Sequence, residues 1–293
     1  MIGLWLREWK RERRGWIGQQ IFVMVCSLLV FLIYMVKKVW LFRAMLLVKS
    51  LPEAAYAFLG LTAETETGNL WFYLLFTAML LNVYVIWEIM TGIAYAVYSD
   101  ERSSAVYTLC SQWYSRGQLM VARYLANVFV LVVKYLLWYI ELCLFILVGS
   151  ITREQRVSGF HVLSGWLVRS IAVSFLLMSV VYLLAVSSRR GKQRDISSWG
   201  GLLVFGTLAL GNLYKIRNLV IWIFLYLERD VSGIMRRWGW LNRLYWISPL
   251  SWVNPFAAGS VRRAVLQVLC SFIVGIGAAA CAVWCYNRRE LVG

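Results

Sequence analysis

The chain has a single histidine, His161, three prolines, and 14 acidic residues against 30 basic ones in 293 residues. With one histidine, a histidine-based metal centre is nearly excluded. No G-x-x-x-x-G-K-[ST] occurs, so the chain does not cradle nucleotide phosphates in that way. No polar stretch exceeds roughly 50 residues, well short of a soluble domain of about 100–150. Of the six cysteines, Cys26, Cys110, Cys143, Cys270, Cys281 and Cys285, none forms a C-x-x-C pair. Cys281 and Cys285 share one helical face, and they read as small apolar residues within a span. No internal repeat and no low-complexity tract is visible.

What is present is apolar. Hydrophobic residues make up 61% of the chain, where a soluble domain sits near 45–50%. That composition belongs to an all-α integral membrane protein. The formal net charge is +16. The basic residues flank apolar runs, where anionic headgroups lie. Membrane lipid, and not nucleic acid, is the expected polyanion. Arg7, Lys10, Arg11, Arg13 and Arg14 precede a long apolar run. The run is too long for a signal-peptide core of roughly 7–15 residues. It reads as a retained first span.

A bilayer core needs about 20 apolar helical residues. Six segments of one transmembrane domain, 1–293, qualify: 17–36, 69–95, 119–148, 166–187, 198–213 and 264–286. The fifth is short and carries Gly200, Gly201, Gly206 and Gly211, which suits close helix packing. With both termini cytoplasmic, residues 1–16, 96–118, 188–197 and 287–293 lie inside. The outer loops hold as many basic residues over about twice the length, so the positive-inside rule favours this orientation. The outer loop 214–263 contains IRNLVIWIFLYLERD. Its run of about 11 apolar residues is too short to span and reads as re-entrant. Trp238, Trp240, Tyr245 and Trp246 follow at the expected headgroup level.

Residues 1–16 place Ile2, Trp5, Leu6 and Trp9 at helical spacing among the basic residues. This predicts an amphipathic helix at the inner surface, as an anchor or as a contact for another subunit. In the cytosolic segment 99–114, Ser99 is a good N-cap. Asp100 and Glu101 suit a helix N-terminus. Val106, Leu109, Cys110 and Trp113 form one apolar stripe. That stripe covers lipid, the protein's own spans or a partner.

Glu101-Arg102, Leu109, Ser111, Tyr114-Ser115-Arg116 and Arg123 resemble the loop after the second span in permease subunits of ATP-binding-cassette exporters of the six-helix, type V class. Ser104 or Ala105 stands where that family usually has glycine, and Trp113 where it has proline. The N-terminal interfacial helix, six spans, the dipping outer loop and the basic tail Asn287-Arg288-Arg289-Glu290-Leu291 fit the same class. The resemblance implies that 99–114 is a coupling helix docking on a separate ATPase, with Glu101, Val106, Leu109, Trp113 and Arg116 in contact. It implies two permease copies, as a homodimer, with two ATPases. ATP and Mg would sit on the ATPase, and no cofactor on this chain. The bacterial plasma membrane is the expected location. The implied cargo is amphipathic, with peptides favoured, as in exporters of phenol-soluble modulins or in lantibiotic-immunity systems.

Charges inside spans are functional candidates by default. They are Glu88, Lys134, Glu141 and Arg169. At 1.5 Å per residue, depth pairs Glu88 with Lys134 and Glu141 with Arg169. Such pairs either fix helix packing or line a path that rearranges. Two other classes stay open. An intramembrane enzyme would need paired carboxylates or a Ser-His arrangement within the spans, whereas Glu88 and Glu141 lie on different spans and His161 lies outside. An ion-coupled carrier would favour an inverted repeat.

Overall fold

The computed structural model describes residues 2–36, 77–78, 81–82, 84–89, 115–149, 153–187, 240 and 261–288. Among these residues the protein is all-helical, with no strand. Four long helices are α1 (Ile2–Val36), α2 (Arg116–Gly149), α3 (Arg153–Ser187) and α4 (Val261–Arg288). Residues 77–78, 81–82 and 84–88 are also helical. Among the described residues, three stretches are long and apolar enough to cross a membrane: Arg116–Val148, Gly159–Ser187 and Ala264–Arg288. The protein is thus a membrane protein. Trp16–Leu29 of α1 is a shorter apolar helix.

Local chemistry sets where α2 begins. Ser115 Oγ accepts from the Gln118 N–H at 3.2 Å, and Gln118 Oε1 accepts from the Ser115 N–H at 3.0 Å. This reciprocal pair is a capping box, which satisfies donors that the first turn leaves open. The Arg288 guanidinium lies 4.1 Å above the Trp284 ring in the last turn of α4. A cation there also suits the negative helix C-terminus.

Two boundaries differ from the sequence expectation. Residues 1–16 and 17–36 were expected as a surface helix and a separate span. The structure runs them together as α1 from Ile2 onward. No proline lies in this region, and single glycines do not break the hydrogen-bond ladder. The fourth span was expected from residue 166, after an outer loop 149–165. Instead α3 starts at Arg153. Gly159, Ser164 and Gly165 lower the local hydropathy, but Leu163 and Trp166 are fully buried. Packing of that face extends the helix where composition alone suggests a loop.

Side-chain pairs give the helix directions. Along α2 and α3, Tyr139 meets Ser164, Tyr135 meets Ser174 and Tyr124 meets Ser179. The numbers fall on one helix as they rise on the other, so α2 and α3 are antiparallel. Phe31 stacks on Phe145 at 4.1 Å, while Trp5 and Trp9 pack edge-on against Phe129. Hence α1 runs parallel to α2. Between these contacts α1 advances much further than α2, by about 33 Å against about 24 Å at 1.5 Å per residue. It therefore does not lie straight alongside α2. Gly117, at the start of α2, adjoins Asn287, at the end of α4. That makes α4 antiparallel to α2 and parallel to α3. Residues 84–88 run opposite to α2, since Tyr84 meets Trp138 and Glu88 meets Lys134.

The core sits where Ala78, Leu81, Val85 and Ile89 meet α2 and α3. Trp138, Trp166, Tyr135 and Tyr182 are its largest fully buried side chains. α4 packs mainly on α3. There Gly275 admits the Phe175 ring: a methyl at that position would come within 2.6 Å of the ring. The other faces stay apolar and open. Ile273 and Ile276 on α4 and Phe22 on α1 are 68%, 60% and 69% exposed. Lipid chains would cover such faces in a bilayer.

Candidate functional site

The intramembrane charges are the starting point. Lys134 of α2 forms an ion pair with Glu88. The lysine side chain is 4% exposed and the glutamate 27%. One turn before Glu88 lies Tyr84, and one turn after Lys134 lies Trp138. Because the two segments are antiparallel, these outer residues also meet, edge-on at 5.9 Å between ring centroids. An aromatic contact thus abuts the ion pair on one side.

Next to Lys134, the Tyr135 hydroxyl ties three segments together. It donates to Asn82 Oδ1 at 3.0 Å and contacts Ser174 Oγ at 2.8 Å. With its single proton spent on Asn82, it accepts from Ser174. Trp138 and Trp166 pack edge-on against its ring at 5.7 and 5.9 Å. Further pairs extend this polar seam along α2 and α3. They are Tyr139 with Ser164 at 2.8 Å, Tyr124 with Ser179 at 2.5 Å, and Asn127 Nδ2 donating to Tyr182 at 2.5 Å. Interhelical bonds of this kind hold helices together in lipid, where burying more apolar surface adds little. The sequence reading missed this seam. Its signal is the recurrence of Tyr124, Asn127, Tyr135 and Tyr139 in one span and of Ser164, Ser170, Ser174 and Ser179 in the next.

The second expected charge pair is not formed. Glu141 instead faces Ser27 of α1, and Arg169 Nε donates to the Gly165 carbonyl at 3.0 Å, one turn back on its own helix. The cause is azimuth. Glu141 is six residues from Tyr135, which turns it about 120° around α2, away from α3. It lies seven residues from Lys134, nearly on the same face.

Trp5 and Trp9 stack on one another at 6.4 Å and both meet Phe129. They pack against the protein's own α2, while Leu6 stays 42% exposed. Arg116 is half-buried at the first position of α2. A cation there opposes the helix dipole, so its local helix gives no reason for the charge. Glu101, Val106, Leu109 and Trp113 lie outside the described residues. Among the described residues, no three His, Cys, Asp or Glu side chains gather as a metal would need. No protein-family model matches the chain, and no curated protein matches it.

Proposed function

We propose that the chain is the membrane permease subunit of an ATP-driven exporter, working as a dimer with two separate ATPase subunits and moving an amphipathic cargo, with peptides favoured. The observation that supports this most is the set of helix directions. α1 and α2 point the same way, and so do α3 and α4. On this reading α1 is a span, and the chain returns across the membrane once between α1 and α2 and once between α3 and α4. Residues 84–88 run in the returning direction. Six crossings are the smallest number that satisfies both conditions, and six is the count of the exporter class that the 99–114 motif resembles.

In this arrangement the start of α2 and the end of α4 share one end of the bundle, toward which the N-terminus of α1 also points. The reading takes this end, with Arg7, Lys10, Arg116 and Arg288, as the cytoplasmic one, and the end with Arg153, Arg156 and Arg262 as the outer one. Both termini and the coupling helix then face the motor, in a bacterial plasma membrane. ATP-driven closure of the motors would press the coupling helix, and the capped start of α2 would pass that movement into the seam around Tyr135.

The test is co-purification with candidate ATP-binding-cassette ATPases, following ATP hydrolysis with Trp113→Ala and Leu109→Asp. A stable complex that both substitutions weaken is the expected result. Absence of a complex with any such ATPase, together with transport driven by an ion gradient, would overturn the reading in favour of a carrier.

A further inference from the structure

The seam around Tyr135 has more hydrogen-bond donors than acceptors. Trp138 Nε1, Trp166 Nε1, Asn82 Nδ2 and Ser170 Oγ are all buried without a hydrogen-bond partner. Their residues are 0%, 0%, 5% and 0% exposed. All four are tied to one place. Both indoles pack on the Tyr135 ring, and Asn82 holds the Tyr135 hydroxyl through its other amide atom. Ser170 lies one turn from Trp166 and one turn from Ser174, which also bonds Tyr135.

Ser170 is informative because a simple partner is within its reach. Serines in these helices satisfy themselves on the carbonyl four residues back, as Ser179, Ser187 and Ser271 do. Ser170 does not, so its hydroxyl is turned away from the backbone. An indole N–H can only donate. Unpaired donors inside a bilayer are costly, because no water is at hand to replace the missing bond.

The chemistry of a fitting occupant follows from this imbalance. Water would bring two acceptor sites but also two hydrogens that need acceptors of their own. A carboxylate brings two oxygens with about four acceptor sites and no donor. The Lys134 ammonium, beside Tyr135 in sequence, is already paired with Glu88, so the fit rests on the unpaired donors. We propose that the donors of Asn82, Trp138, Trp166 and Ser170 form a binding site for a carboxylate or comparable small oxyanion group. The site is built on Asn82, α2 and α3 of this chain alone. It therefore stands or falls independently of any motor subunit.

The experiment uses the purified full chain in neutral detergent, with acetate as the probe. Thermal unfolding is followed by circular dichroism in sodium acetate and in sodium chloride at equal ionic strength and pH. Acetate is expected to raise the midpoint of the unchanged protein, the rise growing with the logarithm of its concentration once the site fills. Ser170→Ala and Trp166→Phe are expected to keep the helical signal and to lose most of that rise. Asn82→Asp, which installs a resident carboxylate, is expected to abolish it. Equal midpoints in acetate and chloride for the unchanged protein would overturn the proposal. So would an acetate shift of the same size in Ser170→Ala and Trp166→Phe. If Trp166→Phe lowers the midpoint in chloride while acetate has no effect on either protein, the donors hold internal water and the anion site does not exist.

Discussion

Breaking the Glu88–Lys134 pair tests the reading of the membrane core most directly. Removing one partner of a buried ion pair typically costs about 3–5 kcal/mol, because the other charge is left behind. The two partners differ in exposure here. The Lys134 side chain is 4% exposed and that of Glu88 27%. Glu88→Gln leaves a deeply buried ammonium without its carboxylate, and should cost the full amount, about 3–5 kcal/mol. Lys134→Met leaves a carboxylate whose exposed part meets lipid and not water, so a cost of the same order, about 3–5 kcal/mol, is expected. Replacing both members with uncharged residues often comes close to neutral. The double variant should therefore lose less than either single one. Unfolding by sodium dodecyl sulfate in mixed micelles, followed by circular dichroism, would supply the cycle. The coupling free energy is the quantity to read. Single losses that are small and simply add would refute the argument from burial. The exchanged pair, Glu88→Lys with Lys134→Glu, separates packing from transport. If the proposed exporter reading holds, recovered stability without recovered transport would show that the polarity of the pair matters to transport itself.

Three further predictions concern helix packing and the start of α2. Gly275→Ala places a methyl within 2.6 Å of the Phe175 ring; a loss of about 1–3 kcal/mol is expected from overpacking, with most of it regained alongside Phe175→Leu in the same unfolding assay. Gly277→Ala, where nothing lies within 4 Å, should be neutral or up to about 1 kcal/mol stabilising through helix propensity. Ser115→Ala removes the capping oxygen of α2 and should cost about 1 kcal/mol, with faster amide exchange confined to the first turn after Ser115.

Hydropathy alone located much of this protein. The apolar stretches Arg116–Val148, Gly159–Ser187 and Ala264–Arg288 overlap the third, fourth and sixth spans read from the sequence. Burial in lipid demands length and apolarity, and both are properties of the chain itself. Depth counting also paired Glu88 with Lys134, because position along a helix translates into depth at a fixed rise per residue. The same counting failed for Glu141 and Arg169, since depth carries no information about azimuth. Which way a side chain points depends on how its helix is rotated against neighbours, and that is settled only when the helices pack. The Tyr135 seam was out of reach for the same reason. Its hydrogen bonds join residues 25 to 55 positions apart, and nothing local to any one of them names the partner. The extra turns of α3 before residue 166 show the limit from the other side. Their hydropathy is modest, and they are helical because Leu163 and Trp166 fill space that only the assembled core creates.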